Sequence, residues 1–292
     1  MAKRRSTKVS KTKQTKQTKE VVQKPGLGFL QASVDQGITG MHVQESTLTQ
    51  IPFLKIAVSP KDTDQMNPKS SVYIKGLKAG DMFNPVTKEI YEKPEIVILA
   101  AHENYIEWGE GLGSFRGQYS ITEMLRMQKE GAIKKEGISD YAYTDSDEST
   151  FIRTITLYCY KHPNDIFLIT FKKTGLKYAR KWLIMVDNIA PELKKTGRDH
   201  LPTALGIWKL TGTDLVTNDN NQSWYALGDG KDPNIEFVAF TTDKKYSEMW
   251  PAIYAGIEMC DSLIVDNKVD YSSSGGTATT TVDTEESDEE GF

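Results

Sequence analysis

Two cysteines in 292 residues, Cys159 and Cys260, are too few for a disulfide framework, and no CxxC or neighbouring His pair makes them a zinc site. A reducing, intracellular setting is the natural inference. No apolar run approaches the roughly 20 residues that span a bilayer, so no membrane contact is expected. The N-terminal stretch is basic but lacks the apolar segment of a signal peptide. Histidine is scarce: His42, His102, His162 and His200 are scattered, with none at ligand spacing. No nucleophile elbow, HExxH or paired-carboxylate motif is present. Gly109, Gly111, Gly113 and Gly117 lack the Gly-Lys-Ser/Thr ending of a phosphate loop, and their spacing is not GxGxxG. The expectation is therefore a protein that is not an enzyme, with no cofactor and no metal. One enzyme reading stays open, a nuclease whose carboxylates cluster only in space, and it predicts Mg²⁺-dependent cleavage.

What the chain does have is segregated charge. Residues 1–24 alternate Lys with Thr, Gln and Ser and carry about +8 with no hydrophobic period, the pattern of a disordered basic arm. Such an arm displaces counterions from nucleic acid regardless of sequence. At the other end, Thr281–Phe292 (TVDTEESDEEGF) carries about −6 and no basic residue. A polar tether beginning at Tyr271 precedes it, so the chain ends as a leash with an acidic hook tipped by Phe292. Opposite charges at the two ends point to a polyanion partner and a built-in mimic of it.

That ending resembles the single-stranded-DNA-binding proteins of bacteria and phages, whose acidic tails close on a phenylalanine. For the phage members the resemblance implies an OB-fold barrel, sequence-independent binding of single-stranded DNA in replication or recombination, and work in the cytoplasm of the infected bacterial host. It also implies a tail, here Asp288, Glu289, Glu290 and Phe292, that competes for the DNA groove and docks polymerase, helicase or primase. Homo-oligomerisation is compatible with it. The expected fold is mainly β with helices (α+β), an OB-fold-like barrel with insertions. The expected layout is a basic arm over 1–24, a binding domain over 25–266 and a flexible acidic tail over 267–292.

Along the chain, Ile51–Val58 is apolar enough to pack, and Ser71–Leu77 alternates as a strand does. Asn84-Pro-Val-Thr-Lys turns a hairpin between Gly80–Phe83 and Glu89–Glu92. Glu95–Ala101 reads as a buried strand continuing toward Tyr105 and Trp108. Ser120 and Glu123 form a capping box for a helix to about Lys129, with Met124, Leu125 and Ala132 inward; Tyr141–Thr150 reads as a surface excursion. Phe151–Tyr160 and Ile166–Lys172 make a second hairpin around His162–Asp165. A helix capped by Thr174 follows, with Leu176, Ala179, Leu183 and Val186 on one face. Two strands around Thr217–Asn221, a strand over Ile235–Phe240 and a last helix opening at Pro251 complete the series.

The block Phe151–Arg198 carries about +7, with basic residues interleaved with aromatics. Phosphates need Lys and Arg along their path, and unpaired bases need flat faces. The expected DNA-binding residues are Arg153, Tyr158, Tyr160, Phe171, Lys172, Lys173, Lys177, Arg180, Lys181 and Trp182, together with Phe115 and Arg116 on the glycine-punctuated loop. Phe167, Tyr178, Trp208, Trp224 and Tyr225 are further candidate rings. The competing reading is a virion structural or scaffolding protein whose basic arm lies against packaged DNA.

Overall fold

The computed structural model describes residues 51–58, 64–109, 114–136, 140–146, 148–163, 165–191, 202–218 and 221–265. The basic arm and the acidic tail lie outside these. The organising pair is β4 (Glu95–Gly109) and β8 (Ser149–Lys161), two long antiparallel strands in register from Val97↔Tyr160 to Gly109↔Ser149. Shorter strands flank them. β5 (Phe115–Tyr119) and β10 (Gly206–Leu210) pair with the two ends of β4. β7 (Asp140–Tyr143) and β9 (Asp165–Lys172) pair with the two ends of β8. β6 (Ile133–Glu136) and β13 (Ile235–Phe240) close the edges, giving eight strands in one antiparallel sheet.

Register shifts at Ile98/Ala100, Glu107/Trp108 and Ile207/Trp208 mark bulges, which increase local twist and bend a sheet. The result is a mainly β protein with three helices among the described residues, its sheet curled into a half-barrel, consistent with an OB-like α+β fold. A small sheet of β1 (Lys55–Ile56), β2 (Met82–Phe83) and β3 (Ile90–Tyr91) joins β9 through a bridge from Phe53 to Leu168. A two-stranded ribbon, β11 (Asp214–Thr217) with β12 (Ser223–Ala226), stands apart from both sheets.

Alternation along β8 decides the packing. Ile152, Tyr158 and Tyr160 face one way; Ile155, Leu157 and Cys159 face the other. Each face meets a helix. α3 (Trp250–Val265) packs Ile253, Cys260 and Leu263 on the first face, so closely that a Cβ on Gly256 would stand 2.7 Å from Leu99 Cδ1. α2 (Leu176–Asn188) packs Leu176, Ala179, Trp182 and Val186 on the second, against Phe167, Phe171 and Trp208. α1 (Ile121–Lys129), opened by the expected capping box, covers one end with Met124.

Several expectations need local correction. Ser71–Leu77 is a run of turns. Leu125 is exposed, and so is Ala132; Ile133 is the buried residue after α1. Part of the excursion after Tyr141 belongs to β7. Thr174 does not cap α2, because Lys173–Gly175 forms a 3₁₀ turn and Gly175 takes the cap position without a side-chain bond.

Candidate nucleic-acid interface

The predicted binding residues divide by burial and by partner. Trp182 and Tyr158 are 0% exposed, Tyr160 is 1% and Phe171 is 5%. These four rings are core and serve both faces of the sheet: Tyr158 and Tyr160 lie beneath α3, Phe171 lies beneath α2, and Trp182 of α2 packs down onto the same face as Phe171. The expectation that they offer flat faces to bases is corrected for all four. Each points into a helix–sheet seam, where apolar area leaves water. Trp182 meets Trp208 edge-on at 6.3 Å, which is core packing.

The cations of α2 are tied to protein acceptors. Lys181 Nζ donates to Asp232 Oδ1 at 2.8 Å and to the Lys231 carbonyl at 2.7 Å. Lys177 Nζ donates to the Gly230 carbonyl. Arg153 and Arg180 share Glu103 Oε1, at 2.8 Å and 3.4 Å. The helix that looked like a binding surface holds its loop and strand neighbours with its charges.

The remaining predicted residues lie near one end of the sheet. Lys172, on β9 opposite Thr154, faces the first side and sets its Nζ 4.8 Å from the centroid of the Trp108 ring. Trp108 meets Phe115 edge-on at 6.4 Å. Arg116, next to Phe115, donates from Nη1 to Ser149 Oγ at 2.6 Å. Lys173 follows Lys172 with φ of +50°, which turns the backbone sharply at the strand end. Burial first, then the ammoniums of Lys173 and Lys55, push the Lys172 amine down to about 8. Burial also lowers the Lys55 amine. Three like charges therefore act on one another, the Lys172 ammonium stands over the Trp108 ring, and among the described residues neither Lys55 nor Lys173 has an ion-pair partner.

Behind this group lies a polar strip across the same face. Asn104, Thr154 and Lys172 stand side by side on β4, β8 and β9; His102, Thr156 and Thr170 make the next row. Asn104, Thr154 and Thr156 are buried, and among the described residues Asn104 Oδ1 and Thr170 Oγ1 find no hydrogen-bond partner. Burial lowers the His102 pKa. Buried polar groups cost stability unless satisfied, so a strip of them is poor core design. Among the described residues no three His, Cys, Asp or Glu side chains gather to hold a metal ion.

Sequence reasoning missed Lys55 and the placement of Trp108. The signal for Lys55 was a lone cation inside the apolar run Ile51–Val58. Trp108 was legible only as the end of a strand. Asp288, Glu289, Glu290 and Phe292 lie outside the described residues.

Among known proteins, a family model described as Pam3 phage gp34-like protein matches residues 17–249. No curated protein and no solved structure matches the chain.

Proposed function

The chain belongs to the Pam3 phage gp34-like protein family, and from that premise we propose that it binds single-stranded DNA without sequence preference in phage DNA replication or recombination. The observation that carries this reading is the Lys172 ammonium set over Trp108, which meets Phe115 edge-on, with the charges of Lys55 and Lys173 acting on it. Like charges repel, and a phosphate backbone relieves that repulsion while releasing its own counterions. Trp108 is itself core at 2% exposure, so the half-buried Phe115 at its edge is the ring offered to an unpaired base, a stack worth about 1–3 kcal/mol per base. The basic arm adds sequence-independent attraction, and the acidic tail competes for the same lysines when DNA is absent. Once displaced, the tail docks polymerase, helicase or primase in the cytoplasm of the infected host. The reading involves no catalysis, cofactor or metal.

Titration with single-stranded and duplex oligonucleotides, followed by tryptophan fluorescence, tests the proposal, because Trp108 lies beneath the Lys172 ammonium. Quenching by single strands, with clear preference over duplex, is expected. Equal affinity for both, with the protein co-purifying with particles, would favour the virion structural reading. Mg²⁺-dependent cleavage would favour a nuclease.

A further inference from the structure

A pocket of about 50 Å³ opens beside Lys55, walled by Phe53, Leu54 and Ile56, by Ile169 and Thr170 of β9, and by Leu227. It exists because the N-terminal segment leaves the β9 edge there. Leu168 donates to the Pro52 carbonyl and accepts from the Leu54 amide. In an antiparallel ladder the backbone groups two residues on point the same way, so those of Thr170 face the pocket side. Leu227 carries the pocket toward the two-stranded ribbon. Two residues earlier on the chain, Tyr225 lies against Gly80, where a Cβ would stand 2.8 Å from its ring. The Gly80 amide in turn donates to the carbonyl of Ala57, two residues after Lys55, at 2.7 Å. The ribbon is thus tied to the segment that presents Lys55. Across the ribbon from Tyr225 is Leu215, 59% exposed.

We infer that the β11–β12 ribbon is a second platform for single-stranded nucleic acid, in which a strand leaving Lys172 passes Lys55 and lays an unpaired base on Leu215 and Tyr225. The inference rests on the nucleic-acid reading and adds a path to it. The ribbon's outer face alternates these apolar groups with Thr217 and Ser223, whose hydroxyls bond each other at 2.7 Å. Two strand steps of about 7 Å each, Lys172 to Thr170 and Leu227 to Tyr225, separate the platforms together with the pocket between them. A ligand of several nucleotides is therefore needed to reach both.

The test uses the full chain with Leu215→Cys labelled by an environment-sensitive fluorophore, since both native cysteines are buried. The probes are oligothymidines of four and twelve nucleotides. The label is expected to respond to the twelve-mer only, while tryptophan fluorescence responds to both. Leu215→Ser is expected to weaken the twelve-mer about fivefold, as losing roughly half of a leucine's buried apolar surface does, and to leave the four-mer unchanged. A silent label with tryptophan still quenched by the twelve-mer would overturn the ribbon platform and leave the DNA reading standing. An equal label response to both lengths would also overturn the two-platform path. No tryptophan response to either length would overturn the DNA reading itself.

Discussion

Lys172 sets two requirements against each other. Its amine is held near 8 by burial and by Lys173 and Lys55. In the unfolded chain it takes the ordinary lysine value near 10.4. Between those values the unfolded state binds the proton and the folded state does not, so this group's contribution to stability rises with pH through that window. Below about 8 both states are protonated and the charge is a standing cost to the fold. Lys172→Met should therefore stabilise the protein at pH 7, by about 2 kcal/mol after discounting the shift for partial exposure. Thermal or urea unfolding checks this. The same variant should bind single strands about tenfold more weakly, and wild-type affinity should fall as pH rises through about 8. A residue that lowers stability and raises affinity marks a functional position. Lys172 and Lys173 were legible in the sequence as cations ending a strand. Tyr158, Tyr160, Phe171 and Trp182 misled, because alternation assigns residues to two faces without saying whether either is wet. Here both faces of β8 are covered, one by α2 and one by α3.

Among the elements, α2 was read correctly as an amphipathic helix with Leu176, Ala179 and Val186 inward. What its sequence hid was that Trp182 joins that face and that the exposed cations find protein acceptors. Partners such as Glu103 and Asp232, 77 and 51 residues away from Arg180 and Lys181, leave no local pattern. Trp182→Ala should cost roughly 3–5 kcal/mol, as large-to-small changes in a packed core do. Trp182→Phe should cost much less than that, since it also removes a buried indole N–H that has no partner among the described residues. Unfolding midpoints of the two variants decide it. The β8–β9 pairing was the most legible part of the fold, because two long runs separated by a turn set their own register, whereas the pairing of β8 with the distant β4 left no local signal. The ribbon strand Asp214–Thr217 was not legible: four residues beginning with Asp carry too little periodicity.

For the molecule as a whole, the central claim is that charge is sorted by partner. Cations of α2 hold the fold together, while Lys55 and Lys173, whose charges act on Lys172, have no ion-pair partner among the described residues. Removing Thr281–Phe292 should tighten single-strand binding, most at low salt, where competition between polyanions is strongest. Three phosphate contacts should give a slope of about −2 in log affinity against log salt, and each neutralised lysine should remove about 0.7 of it. The most direct measurement compares two double variants in the same single-strand titration. Lys55→Gln with Lys173→Gln should lose at least about tenfold in affinity and flatten the salt slope, while Arg180→Gln with Lys181→Gln should bind within about twofold of wild type. The reverse result, with binding lost on α2 and unchanged around Lys172, would contradict the account.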